Sequence, residues 1–439
     1  MRLLIVSVVL PVAAMAASNV TFNKDVLPVL QNNCQSCHRT GEVAPMSFLT
    51  YESTRPWAKA IKAAVVAKKM PPWFADPRYG HFSNAPGLTA ADIDTLSAWA
   101  DNGSPEGNAK DKPAPKQWLE GWSIKPDVVV QLQEPFQVPA KGIIELTNII
   151  VPSGFTKDTW ITSLEIRPTD PAVVHHVVVS FRPHNPNVKY GVQEAPAKPR
   201  DENGDQINRR KASDEIVRLG RQNPSGAGLE AVYVPGGQPA VDYRLYDAAK
   251  LIPAGSDVII GMHYTPNGKA TTDQTRVGFT LAKEEPRHRF LTVLPMPLTD
   301  EDHFTIPPND PNWESRSEVV FNQDAKLVWF MPHMHLRGKD MTYKLFYPNG
   351  ETETVLSVPH YNFDWQLGYI VEKPIMVPKG TKLQATAHYD NSANNPFNPN
   401  PNKPVWWGDQ TWEEMMVPWF GLVVDVEVGK NIISRATTQ

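Results

Sequence analysis

The chain has 439 residues, with 43 Lys and Arg set against 47 Asp and Glu for a formal net charge of −4. Charges of both signs are interleaved without a basic run, which excludes a protein built to bind nucleic acid. The 42 prolines and 13 tryptophans predict many turns and short strands, and the two cysteines leave stability to apolar cores.

The first element is a leader. Arg2 is followed by an apolar run, Leu3–Val12, and then by Ala14-Met15-Ala16, which together read as a cleaved export signal over residues 1–16. The run is too short to span a bilayer, and no later segment is long enough to do so. The expectation is an exported protein with no membrane span in its mature form, most simply in a bacterial periplasm.

Residues 20–103 read as a small all-α domain. Val26, Leu27 and Leu30 form an apolar stripe leading into Cys34-Gln35-Ser36-Cys37-His38. A Cys-x-x-Cys-His run attaches one haem c covalently: the thiols of Cys34 and Cys37 add to the vinyl groups, and His38 becomes the proximal iron ligand. A redox Cys pair needs no following histidine, and a Cys-only zinc site needs two more thiols than the chain has. A second helix is expected over Pro56–Lys69, with Trp57, Ile61, Ala64 and Val65 on one face and Lys59, Lys62, Lys68 and Lys69 largely on the other, solvated one. The third begins at Thr89, where Asp92 completes a capping box, and stops at Gly103. Met70, in a proline-stiffened loop just after the second helix, is the expected distal haem ligand, with Met46 as its competitor. The pattern resembles a class I cytochrome c.

Residues 104–126 are rich in Pro, Lys, Asp and Gly and read as a linker. Beyond them, short alternating strands are predicted at Val128–Leu132, Ile143–Val151, Trp160–Ile166, Val173–Phe181, Val258–Tyr264, Val277–Leu281, Leu327–Phe330, Met341–Phe346 and Leu383–Tyr389. That much chain suits two all-β sandwich domains, over 127–285 and 286–439. The Arg182–Gly228 stretch, of mixed charge with prolines and glycines, reads as a long surface insertion.

Three histidine clusters lie on these strands. His333-Met334-His335 places two imidazoles on one face, because strand side chains alternate. Two imidazoles converging on one point are half of a metal site. His175 and His176 are adjacent, and on a regular strand they point apart. Both can serve one metal only if the strand twists or bulges, or if one ring coordinates through Nδ1. His263 stands alone in Gly261-Met262-His263-Tyr264. Singly, each cluster also has an ordinary structural reading. His388 reads as a supporting or structural residue, and His81, His184, His288, His303 and His360 have no assigned role.

Taken in order, HH…HY…HxHLxG…EEM resembles the copper type II, ascorbate-dependent monooxygenases, the family of peptidylglycine α-hydroxylating monooxygenase and dopamine β-monooxygenase. The resemblance implies two jelly-roll sandwiches, each with one copper, facing each other across a solvent cleft. It makes His175, His176 and His263 the ligands of an electron-transfer copper, and His333, His335 and Met415 those of the oxygen-binding copper. Met416 is the alternative to Met415. Three imidazoles hold copper in either oxidation state, and a thioether opposite two imidazoles favours Cu(I) and leaves a position for O₂.

The chain also departs from the family. It has no disulfides. Where the peptide-specific enzyme holds its substrate carboxylate with Arg, and contacts substrate with Asn and Tyr, this chain has Met331, Val417 and Trp419. The implied substrate is a small organic molecule, more apolar or aromatic than a peptide C-terminus, with O₂ as co-substrate. Electrons are expected from a periplasmic donor or an ascorbate-like reductant and pass through the cytochrome domain. A different class of function, electron transfer or copper binding without oxygenase activity, uses the same ligands but has no need of Met415. A glycan-binding sandwich leaves the histidine order unexplained.

Overall fold

The computed structural model describes residues 20–118, 121–191, 229–235, 237, 240–295, 297–298, 304–429 and 431–435. The leader over 1–16, most of the Arg182–Gly228 stretch and His303 lie outside the described residues. The chain is mostly β-sheet with a few short helices. It divides into two compact units, one made of residues up to Thr40, Ala44–Pro71 and Pro86–Gln117, the other of Gly41–Val43, Pro72–Ala85 and the chain from Trp118 onward.

The first unit packs Phe22, Leu27, Leu30, Leu96 and Trp99 into a small core. Its helices are Leu27–Asn33, preceded by one wider turn over Phe22–Val26, then Tyr51–Thr54, Ala58–Val66 and Ala90–Asp101. The last starts as its sequence predicts: Thr89 accepts from the Asp92 amide and the Asp92 carboxylate accepts from the Thr89 amide, satisfying two helix-end donors. It ends before Gly103, whose φ of +80° reverses the chain. The helix expected over Pro56–Lys69 is shorter, stopping at Val66 with Ile61 and Val65 buried. Lys62 on its outer side pairs with Asp101 at 2.6 Å, tying the two helices together. These helices are short and do not by themselves make a cytochrome c fold. Residues read as linker pack back on this unit: the Trp99 indole donates to Pro105 O, and Gln31 Nε2 to Ala114 O.

The second unit is two β-sandwiches with one sheet in common. Val128–Gln131, Arg276–Leu281, Thr159–Arg167, Ala248–Ile252, His288–Val293, Val417–Asp425, Ala325–His333 and Tyr369–Val377 run side by side in that order. The sheet passes from the first sandwich to the second where His288 and Arg289 pair in parallel with Ala248 and Ala249. A four-stranded sheet (Thr147–Pro152, Ser256–Tyr264, Val174–Pro183, Leu229–Tyr233) covers one half, and a five-stranded sheet built around Gly338–Phe346 and Lys382–Tyr389 covers the other.

Alternation explains the outer strands. Met341, Tyr343 and Leu345 point inward from one, and Leu383, Ala385, Ala387 and Tyr389 from its neighbour. The central Val417–Asp425 strand does not alternate, because both of its faces are covered: Val423 belongs to the first core, Phe420 and Leu422 to the second.

Pro72–Ala85, from within the span expected to be helical, packs in the second unit. Phe82 bridges to Val371, Asn84 exchanges hydrogen bonds with Gly368 and Ile370, and Trp73 lies 5.0 Å from the Tyr369 ring. The segment covers part of a strand that would otherwise be a bare sheet edge. Trp122–Asp127 is likewise fixed, with the wholly buried Glu165 accepting from the Ser123 and Ile124 amides. No helix among the described residues is long and apolar enough to cross a membrane.

Candidate functional site

In the first unit the Cys34–His38 run continues the Leu27–Asn33 helix by one turn, with the His38 amide donating to Cys34 O at 2.9 Å. The His38 ring stacks on Phe48 at 4.3 Å, and its Nδ1 lies 3.3 Å from the Met46 carbonyl. A carbonyl only accepts, so Nδ1 carries the proton and Nε2 is left for an iron. Burial lowers the His38 pKa, partly offset by that hydrogen bond. Burial, then the neighbouring Cys37 and Asp92, pushes the Cys34 thiol up to about 12. A thiol kept protonated and half-buried is a poor redox nucleophile, and the donor set fits covalent haem. Met46 gives its backbone carbonyl to the His38 ring. Met70 is half-buried and its amide reaches Ala64 O.

In the second unit the strand carrying His175 and His176 slips register against its partner between Val174 and His176, so His176 faces His263 directly. This bulge is what adjacent histidines need to converge. The three rings lie 4.8–5.3 Å apart by centroid, and one ligand atom from each falls within 4.8 Å of the others. His175 Nδ1 and His176 Nδ1 are 3.0 Å apart, and the buried His175 Nε2 has no hydrogen-bond partner. Imidazole–metal distances of about 2.0–2.1 Å allow two donors on one ion to be about 4.2 Å apart at most, so this set closes on one ion with a ring shift of roughly half an ångström. His263 Nε2 meets the Thr411 hydroxyl at 3.3 Å.

The second set is held differently. His333 ends its strand and His335 follows, both nearly buried, with ring centroids 5.2 Å apart. His333 Nδ1 donates to Gln366 Oε1 at 2.6 Å, and the Gln366 amide nitrogen donates to Phe363 O, which fixes which way the amide points. His335 Nδ1 donates to the Glu413 carbonyl at 3.1 Å. Both rings thus offer Nε2 as ligand atom.

Behind them Glu414 is wholly buried and accepts from the amides of His335, Arg337 and Met415 at 2.8, 2.6 and 3.3 Å. Burial raises its pKa to about 7, against the pull of Arg337 and of those amides. Tyr361 brackets Met334 with one hydrogen bond to its amide and one to its carbonyl, and the Tyr389 hydroxyl donates to Met415 O. The glycine of the HxHLxG motif has a steric reason: a Cβ on Gly338 would sit 2.6 Å from Met334 Cβ and 2.9 Å from the Tyr361 ring. Met415 is half-buried beside the pair, whereas Met416 is buried in the core.

His176 and His263 of the first set and His333, His335 and Met415 of the second line one cavity of about 230 Å³, and His175 lies behind Phe363, which also lines it. Burial holds His175 and His333 down to about 4 and His263 to about 3, with neighbouring imidazoles lowering His175 and His263 further. His176 and His335 lie well below their ordinary value for the same reasons. All five rings are therefore neutral at pH 7, the form that binds a metal. Residues 292–419 match the copper type II ascorbate-dependent monooxygenase C-terminal domain. That monooxygenase domain contains His333, His335 and Met415; the match supports copper as the metal and a copper-dependent monooxygenase as the class of enzyme.

No curated protein matches the chain at a significant level. Among solved structures, an infectious bursal disease virus Gx strain structure is 5% identical over 72% of this chain and 77% of its own, with a TM-score of 0.19. The Macrobrachium rosenbergii nodavirus is 8% identical over 74% and 100%, with a TM-score of 0.16. The CBM22 tandem of Paenibacillus barcinonensis Xyn10C is 9% identical over 68% and 93%, with a TM-score of 0.12. Likenesses this distant carry no argument about the site.

Met331, Val417 and Trp419 line the same cavity, and Trp419 stacks on His333 at 6.0 Å. No Lys or Arg among the described residues lines it. The Phe363 ring stands beside both sets, 4.7 Å from His175 and 6.1 Å from His335. Phe363, Gln366 and Glu414 had no assigned role in the sequence. Of the remaining histidines, His388 is engaged by Asp340 and Glu314, His184 by Asp257, and His288 by Asp247 and Asp425. His81 gives its carbonyl to Glu372, and His360 lines a separate outer pocket.

Proposed function

We propose that this chain is an exported haem- and copper-containing monooxygenase that hydroxylates a small apolar or aromatic molecule. The observation that carries the proposal is that one chamber is lined by His176 and His263 of the three-histidine set together with His333, His335 and Met415. His175, His176 and His263 hold one copper, His333, His335 and Met415 a second, and Cys34, Cys37, His38 and Met70 hold haem c in the first unit. Copper supplies one-electron redox chemistry and O₂ activation, and haem c a one-electron store. The chain's own residues supply the rest. Gln366 and the Glu413 carbonyl keep His333 and His335 in one tautomer, Glu414 fixes the loop that presents Met415, and Met331, Val417 and Trp419 exclude water and seat the substrate. With no cation on its wall, the chamber does not suit a carboxylate. In the overall reaction one atom of O₂ enters a C–H bond and the other leaves as water, with two electrons and two protons from an ascorbate-like or periplasmic donor. The charged, apolar and Ala-x-Ala pattern of residues 1–16 supports export to the periplasm.

The test is metal analysis of protein matured with haem, followed by O₂ uptake with reductant across a panel of small aromatic and aliphatic substrates. About two coppers and one covalent haem per chain are expected, with label from ¹⁸O₂ in the product. Zinc held in preference to copper, or no substrate-dependent O₂ uptake by copper-loaded protein, would overturn the proposal.

A further inference from the structure

Phe363 lines two cavities at once. One is the chamber of about 230 Å³ lined by His176, His263, His333 and His335; the other is an outer pocket of about 270 Å³, and Phe363 forms part of the wall of both. It lies in the irregular segment between the Thr352–Val358 and Tyr369–Val377 strands. From there its ring reaches across to the other sandwich and stacks on His175 at 4.7 Å and 20°, while its other contacts are His335 at 6.1 Å and His263 at 6.4 Å. Its carbonyl accepts from Gln366, which in turn holds His333. Displacing this ring would therefore open the chamber and disturb the neighbour that orients a histidine.

We propose that Phe363 is a specificity-determining partition: substrate reaches the chamber through the outer pocket, and the ring sets the size and polarity of what passes. The proposal rests on the chamber being the reaction site, as argued above. The outer pocket fits the same class of molecule. Leu336, Tyr361, Pro396 and the exposed Phe397 give it apolar walls. Its Lys339 ammonium donates to Asn312 and Pro311 O, Asp390 accepts from the Ser392 amide, and the carboxylate of Asp364 is the further charged group on its wall. The admitted class is a small molecule with an apolar ring, hydrogen-bonding groups and no carboxylate, since Asp364 lines the outer pocket and Asp409 the chamber.

The first experiment is diethyl pyrocarbonate labelling of the intact, copper-free chain, with each histidine followed by peptide mass spectrometry. Phe363→Ala should raise the labelling rate of His175 and His335 at least about fivefold, with His360 in the outer pocket unchanged as internal reference. Phe363→Leu, which keeps bulk but not the stack, should lie between, and Phe363→Tyr near the parent. Equal rates at His175 in the parent, Phe363→Leu and Phe363→Ala would overturn the partition. A uniform rise at every histidine would also overturn it, since that reports loosening of the fold. In copper-loaded protein, Phe363→Ala should raise kcat/KM for two-ring substrates relative to one-ring ones, mainly through KM. Selective labelling in a protein that oxygenates nothing on the panel would sink the monooxygenase reading and leave the partition standing.

Discussion

The two ligand sets share a chamber but are built by opposite means. His175, His176 and His263 are brought together chiefly by strand geometry, through a bulge and a cross-strand pair, with the Phe363 stack on His175 and a hydrogen bond between His263 and Thr411 as their other supports among the described residues. His333, His335 and Met415 are held by a second layer: Gln366, the Glu413 carbonyl, Glu414, Tyr361 and Tyr389 fix rings and backbone before any metal arrives. A site that must hold an ion in two oxidation states tolerates rings that a metal can pull into place. A site that must keep a ligand position open needs its geometry set in advance. The difference predicts that the second set fails when its supports are removed and the first does not.

The largest effect is expected at Glu414. Glu414→Ala leaves the amides of His335, Arg337 and Met415 buried without acceptors. At about 1–3 kcal/mol for each orphaned donor, the loss of stability should be roughly 3–5 kcal/mol, after allowing for relaxation. Urea unfolding measures it, and copper titration of the folded fraction should show the His–His–Met ion lost with the three-histidine ion retained. Loss of both ions together would mean that the sets are one cooperative site and that the contrast between them is wrong.

Next in size is a pH effect that both sets share. In the folded protein His175 and His333 titrate near 4 and His263 near 3, all below the ordinary value of 6.5. As pH falls below 6.5 the unfolded chain takes up protons that the folded chain refuses, so copper-free stability falls through that window until the folded groups themselves titrate. At pH 5.5 the loss is roughly 1 kcal/mol per ring, and less for the partly exposed rings of the first set. Urea midpoints of copper-free protein at pH 7.5 and 5.5 test this. Replacing His175, His176 and His263 by glutamine should remove part of the slope, and an unchanged slope would show that those rings are not held neutral by burial.

How much of this could be read from the chain depends on how far each partner lies from the residue it supports. The HxH pair, the adjacent histidines and Met415 lie in short motifs, and even the condition for His175 and His176 to converge, a bulge, follows from strand alternation. Local rules also gave the Thr89–Asp92 capping box. What was hidden depends on partners far off in sequence. Glu414 reads as half of an acidic pair until its acceptor role toward His335 and Arg337 is seen, 79 and 77 residues away. Phe363 and Gln366 lie in a loop with no periodic signal. Val417–Asp425, the strand beside Met415, was missed as a strand because burial on both faces erases the alternation that identifies one. Trp73 and Phe82 were assigned to a helical domain by position, yet their apolar cover is Tyr369.

The smallest effects separate the sets most sharply, because they touch one hydrogen bond each. Gln366→Leu removes the acceptor of His333 Nδ1 and frees the ring to flip or change tautomer. Losing such a support costs about 10–100-fold in metal affinity, and competition with a copper chelator should show that loss at the His–His–Met ion alone. Thr411→Val removes the corresponding contact on His263, but at 3.3 Å that bond is long and joins the ring through Nε2. His263 is already placed by its pairing with His176 across the strands. The affinity of the three-histidine ion should therefore change by less than about threefold, under 0.7 kcal/mol. A tenfold loss in Thr411→Val beside a neutral Gln366→Leu would reverse the assignment, making strand geometry the weaker organiser and the chamber's hydrogen bonds the support of the wrong ion.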